Sequence, residues 1–116
     1  MYRIAIASNN GESINQHFGQ ARNFLIYEIG AEGVNFIEDR EVSPPQGEAA
    51  HSEEYLESIV HLLEDCAAIF VLRIGARSAK YLLLHNIKVF EVDFSLHYIF
   101  TTLLKNQQRG KVRIFK

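Results

Sequence analysis

The sequence predicts an α/β fold: a mixed five-stranded sheet with helices on its faces, in the order β-β-β-α-β-α-β-α. Three observations carry this. Three strand-like runs, residues 2–8, 23–29 and 34–42, follow one another with no convincing helical pattern between them. Downstream, three segments with apolar residues at helical spacing alternate with two short apolar runs, 67–73 and 87–92. The chain has 116 residues, 47% of them hydrophobic, with eight Phe and five Tyr. That suits a single domain, residues 1–116, with one core that needs no staples.

Each element has its own warrant. In 2–8, Ile4 and Ile6 face one way, while Ala5 and Ala7 face the other, where small side chains let a helix approach closely. Phe24 to Ile29 is β-branched and aromatic. Gly30-Ala31-Glu32-Gly33 reads as a hairpin loop. Asn35, Glu38, Asp39, Arg40 and Glu41 are what an edge strand needs to discourage pairing with other chains. Ser43-Pro44-Pro45-Gln46-Gly47-Glu48 is a loop, because two prolines and a glycine defeat both helix and strand. Ser52 caps a helix whose first turn holds Glu53 and Glu54 and whose stripe is Tyr55, Ile59, Leu62 and Leu63. It ends near Asp65. A second helix spans about 76–84, and Asn86 serves as a left-handed stop. Ser95 caps a third helix carrying Leu96, Ile99, Phe100, Leu103 and Leu104. The tail 110–115 alternates like a short added strand. The first three strands are expected to be antiparallel neighbours, and the last two, each reached through a helix, to run parallel to the first.

Composition narrows the function. Twelve basic and fourteen acidic side chains give a formal charge of −2, with no electrostatic reason to expect nucleic acid. No apolar run approaches a membrane span, and the N-terminal segment has no signal-peptide succession. Cys66 is the lone cysteine. It excludes an internal disulfide and a four-cysteine metal site, and it fits a reducing cytoplasm.

Few residues offer chemistry. His17 lies in His17-Phe18-Gly19-Gln20-Ala21, between the first two strands. Its imidazole suits iron, zinc or copper, and Gly19 lets the backbone pass close to something bulky; read alone, however, His17 is better taken as a residue that packs on the loop and caps a backbone carbonyl. Cys66, in Asp65-Cys66-Ala67, is either a thiolate ligand or a small core hydrophobe. Arg73-Ile74-Gly75-Ala76-Arg77-Ser78-Ala79-Lys80 crosses from strand to helix. It reads as a tight turn with a solvated basic face, or as a contact for an anion. It is not a phosphate loop. His51 fits a helix entry, and His61, His85 and His97 show no ligand spacing. Catalytic constellations are missing: the first strand has no acidic residue for two-metal chemistry, nothing pairs a base with Cys66, and no Gly-x-Ser-x-Gly occurs.

The run His17-Phe18-Gly19-x-Ala21 followed by Phe24-x-Ile26-Tyr27-Glu28, with Asp65-Cys66, Ile74-Gly75 and Asn86-Ile87-Lys88-Val89, resembles the dinitrogenase iron–molybdenum cofactor biosynthesis family over nearly all of residues 2–92. That family includes NifX-type carriers and the C-terminal domain of NifB-type proteins. Ala76-Arg77 stands where many relatives have a further Gly or Pro, and the basic tail from Lys105 is atypical. The resemblance implies a ribonuclease H-like fold and ties His17 to cluster binding. The expectation is therefore a cytoplasmic, non-enzymatic carrier. It would bind a preassembled iron–sulfur or iron–molybdenum-type cluster transiently and pass it between cofactor-assembly and acceptor proteins, with neither nucleic acid nor membrane as partner. His17 would be the main metal ligand, with Cys66 the second candidate; Gly19, Arg22, Arg77 and Lys80 would complete the binding site, the cations balancing cluster charge. The alternatives are a metal-free binding or regulatory module of the same fold acting through a protein partner and, last, an enzyme using Cys66 or a histidine.

Overall fold

A computed structural model of the chain describes residues 1–43 and 52–108. The prolines of the 43–48 loop, His51 and the expected tail strand at 110–115 lie outside the described residues. Strands β1 (Tyr2–Ile6), β2 (Asn23–Gly30), β3 (Gly33–Glu41), β4 (Cys66–Val71) and β5 (Lys88–Glu91) form one sheet in the spatial order β3-β2-β1-β4-β5. Helices α1 (Glu53–Leu62), α2 (Ala76–Leu84) and α3 (Leu96–Gln108) complete the fold, with a 3₁₀ turn at Phe18–Gln20. The sheet is mixed: β1 pairs antiparallel with β2 and parallel with β4, β2 antiparallel with β3, and β4 parallel with β5. The charged strand β3 does sit at an edge.

Two apolar clusters cover the two faces. Ala5 and Ala7 admit α1 and α2 on one, where Tyr55, Leu56, Ile59, Leu63 and Leu82 pack with Phe24, Ile69 and Val71. Ile4 and Ile6 lie on the other with Phe70, beneath Leu96, Ile99 and Leu103 of α3. Local signals worked as chemistry requires. Ser52 Oγ accepts from the Tyr55 amide at 3.2 Å and Ser95 Oγ from the Tyr98 amide at 3.1 Å. Asn86 has φ 66°, the left-handed stop that ends α2.

Strand ends fall short of the expected 2–8 and 67–73. The reason is at the far end of the sheet, where the chain leaves regular pairing for a built loop. In parallel strands those carboxyl ends collect on one side; β2 starts there, since Ile6 faces Leu25 and Asn23 faces Glu41. The order also reverses there, β1 leading to β2 on one side and β4 lying on the other, which is where open α/β sheets place ligands.

Candidate functional site

Residues 7–22 lie across this end, held in shape by their own side chains. Ser8, 1% exposed, accepts through Oγ from the Gly11 amide at 3.0 Å. Gly11 has φ 71°, a left-handed turn open to glycine. Asn10 Oδ1 accepts from the Glu12 amide at 2.8 Å, and Asn15 Nδ2 donates to Asn9 Oδ1 at 2.7 Å. Backbone bonds then pin the loop to the sheet: Ile14 N–H to Phe94 O, Leu72 N–H to Gln16 O at 3.0 Å, and Phe18 N–H to Arg73 O at 2.8 Å. His17 forms a parallel bridge with Arg73, just beyond β4.

Phe18 gives the turn its anchor. It is 1% exposed, with its ring centroid 6.4 Å from those of both Phe24 and Tyr55. Ala21 is fully buried beside it in the same cluster. The Tyr55 hydroxyl finds no hydrogen-bond partner among the described residues, and burial pushes its phenol up, so this ring serves packing. The aromatic plug goes down into the core while His17 stays exposed in solvent. The sequence His-Phe-Gly thus makes an anchored loop tip, with Gly19 in the 3₁₀ turn.

Basic side chains flank this end of the sheet, with Glu12, Glu41 and Glu91 also there. Arg22, exposed, immediately precedes β2, and its carbonyl accepts from the Val42 amide. Arg77 is exposed in the first turn of α2, whose N-cap, Gly75, supplies no side-chain cap. Lys80 lies one turn on, in an open groove of about 390 Å³ shared with Ile74, Ala79, Leu83, Val89 and Glu91. Glu91 Oε2 accepts from the Ile74 amide at 2.9 Å. Arg22, Arg73, Arg77 and Lys80 form no ion pair among the described residues.

Cys66 is elsewhere. It opens β4 opposite Arg3, at the other end of the sheet. Seven residues separate it from Arg73, about 23 Å at ~3.3 Å per strand residue, so the structure does not bring the two candidate ligands, His17 and Cys66, together. Its side chain is buried, 4% exposed, and burial, with the Asp65 carboxylate beside it, pushes the thiol up to about 12. Asp65 meanwhile accepts two bonds from Arg40, at 2.6 and 2.7 Å, and one from Arg3 at 3.0 Å. Among the described residues, no three His, Cys, Asp or Glu side chains stand close enough to hold a metal ion. His61 lies on the surface of α1 between Glu57 and Glu64, His85 stacks on Tyr81, and His97 is exposed on α3. No helix among the described residues is long and apolar enough to cross a membrane.

Arg73 is the site residue that motif reading missed as an individual. Its register with His17 joins positions 56 apart in the sequence, and local patterning carries no signal for such a pair. The density of Ser, Asn and Gly over 8–15 did signal a structured loop, since these side chains bond nearby backbone.

The family model described as dinitrogenase iron-molybdenum cofactor matches residues 1–97. Protein NifX of Rhodobacter capsulatus is 33% identical over 92 residues, covering 74% of this chain and 58% of that protein. The FeMo cofactor biosynthesis protein NifB of Bradyrhizobium diazoefficiens is 31% identical over 96 residues, covering 83% of this chain and 19% of that protein. The chain thus spans between about a fifth and three-fifths of these two relatives. The crystal structure of the protein PH0822 shares the fold at a TM-score of 0.64 and 23% identity, covering 96% of this chain and 92% of that one.

Proposed function

Because the chain belongs to the dinitrogenase iron-molybdenum cofactor family, we propose that it takes part in metallocofactor assembly as a carrier. In this reading it binds a preassembled iron–sulfur or iron–molybdenum-type cluster, holds it transiently, and passes it to an acceptor protein without chemical change. One observation carries the reading: an exposed imidazole on an anchored loop, at an end of the sheet where four cations have no ion pair among the described residues. Clusters of this kind are anionic and have metal atoms open to an imidazole. A carrier must also release its cargo. A single protein ligand with solvent-exposed cations around it gives weak, separable contacts, whereas a closed set of ligands would retain the cluster. His17 is the ligand in this proposal; Gly19 supports the turn; Arg22, Arg77 and Lys80 offset charge. The partners would be the assembly proteins that donate and accept the cluster.

The scarcity of ligands also supports a second reading, a metal-free module of the same fold that acts through a protein partner. Purification without oxygen separates the two. A brown protein with stoichiometric iron after anaerobic reconstitution is the outcome expected of the carrier. A protein that stays colourless and iron-free after the same treatment would leave the metal-free module.

A further inference from the structure

We propose that Arg73 binds the anionic charge of the same ligand that His17 contacts, so that the two residues form one composite site; this rests on the cluster-carrier reading above. The loop is laid along the extension of β4 by Leu72 N–H to Gln16 O and Phe18 N–H to Arg73 O, and the bridge puts His17 and Arg73 in register. Neighbouring strands lie ~4.8 Å apart, so imidazole and guanidinium start from adjacent Cα positions. Both residues are exposed. Arg73 spends one donor on its neighbour, Nη1 to Leu72 O at 2.7 Å, which steadies the side chain and leaves the rest of its fork for an acceptor. The Glu91 carboxylate accepts from the Ile74 amide, and it makes no ion pair with Arg73. Arg22 belongs to the same loop, five positions along from His17, and Arg77 and Lys80 stand on α2, but none is in backbone register with His17 as Arg73 is. A ligand held on the His17 ring therefore has Arg73 as its fixed cation, and the chemical class selected is a polyanion with soft sulfide faces rather than a free metal cation.

The test uses the full chain with two probes, each followed by equilibrium dialysis and, where His17 is present, at its ring resonances: tetrathiomolybdate, a sulfide-bearing dianion, and zinc(II), a cation with no use for a guanidinium. Arg73→Gln is expected to weaken tetrathiomolybdate binding about five- to tenfold at low salt, the range for an exposed charge-assisted contact. It should also flatten the salt dependence, and leave zinc binding at His17 unchanged or tighter. Arg73→Lys should recover part of the loss. Dianion binding by Arg73→Gln equal to that of wild type overturns the inference; so does equal weakening of both probes, which would make Arg73 a structural prop. The underlying reading fails separately. If wild type shows no dianion contact at His17, or His17→Ala binds the dianion as wild type does, the site itself is misassigned; if His17→Ala loses it while Arg73→Gln keeps it, only Arg73 is.

Discussion

The two ends of β4 use the same kinds of side chain to opposite effect. At its start, Asp65 is gripped by Arg40 and Arg3, which reach on to Glu38 and Glu28, and Arg40 also donates to the Leu62 carbonyl that ends α1. Beyond its end, Arg22, Arg73, Arg77 and Lys80 are without ion pairs among the described residues, and His17 is exposed. Arginines satisfied by carboxylates within the chain tie α1, β1, β3 and β4 together and have little left for a ligand. Cations with no carboxylate partner among the described residues keep their charge for an anion. Under the carrier proposal the contrast separates charge placed for architecture from charge placed for binding, although the chain's net charge of −2 shows neither.

The largest expected effect comes from removing the anchor of the proposed binding end. Phe18→Ala deletes a ring that is 1% exposed. It should cost about 3–5 kcal/mol, the usual range for a buried Phe truncation, seen as a lower melting temperature. It should also unseat His17, so that ligand affinity falls in whatever fraction remains folded at low temperature. A stability loss under about 1 kcal/mol would mean that the loop has another anchor.

The architectural end comes next. Asp65→Ala leaves Arg40, whose side chain is 14% exposed, without its bidentate partner. The Asp65 side chain itself is 38% exposed, so the loss should fall between surface and buried limits, about 1–3 kcal/mol. The pH dependence follows in sign. The guanidinium of Arg40, then that of Arg3, holds the Asp65 carboxyl well below the usual carboxylate range. A depressed folded value favours the folded state above the unfolded value, about 3.9, and that contribution is lost as pH falls below it. Thermal melts from pH 5 down to pH 2 should therefore drop more steeply in wild type than in Asp65→Asn. Parallel curves would remove the ion cluster from the stability argument.

A smaller effect is expected at Cys66. Cys66→Ser puts a hydroxyl where the thiol is 4% exposed and should cost about 1–2 kcal/mol. Since the thiol is pushed up to about 12 by burial, alkylation of the native protein at pH 8 should be slow and should accelerate only on unfolding. Rapid modification of the folded chain would show that the lower end is open.

How much of this the sequence revealed depends on the range of the interaction. Ser52, Ser95 and Asn86 act within one helical turn, and each was readable as a cap or stop. The alternation of Ile4, Ala5, Ile6 and Ala7 gave both faces of β1, and the polar run in β3 marked an edge. His17 stood out because its neighbours form a compact motif. What patterning left unread was non-local. The 3₁₀ turn arises because Phe18 seeks a core built from α1 and β2. The Asp65–Arg40 pair spans 25 positions. Most plainly, both His17 and Cys66 carried ligand-capable atoms, and only the direction of β4, set by its pairing with β1, puts them at opposite ends of the sheet.

If binding resides with His17 and stability with the buried end of β4, anaerobic cluster titration of His17→Ala and Cys66→Ser, with a melting curve for each, separates the two. The expected result is a crossed pattern: His17→Ala melts within about 0.5 kcal/mol of wild type, as exposed loop changes do, and loses most cluster binding, while Cys66→Ser is destabilised and binds as wild type does. A His17→Ala variant that binds normally beside a Cys66→Ser variant that does not would contradict this division, and normal binding by both would take the cluster site away from this end of the sheet.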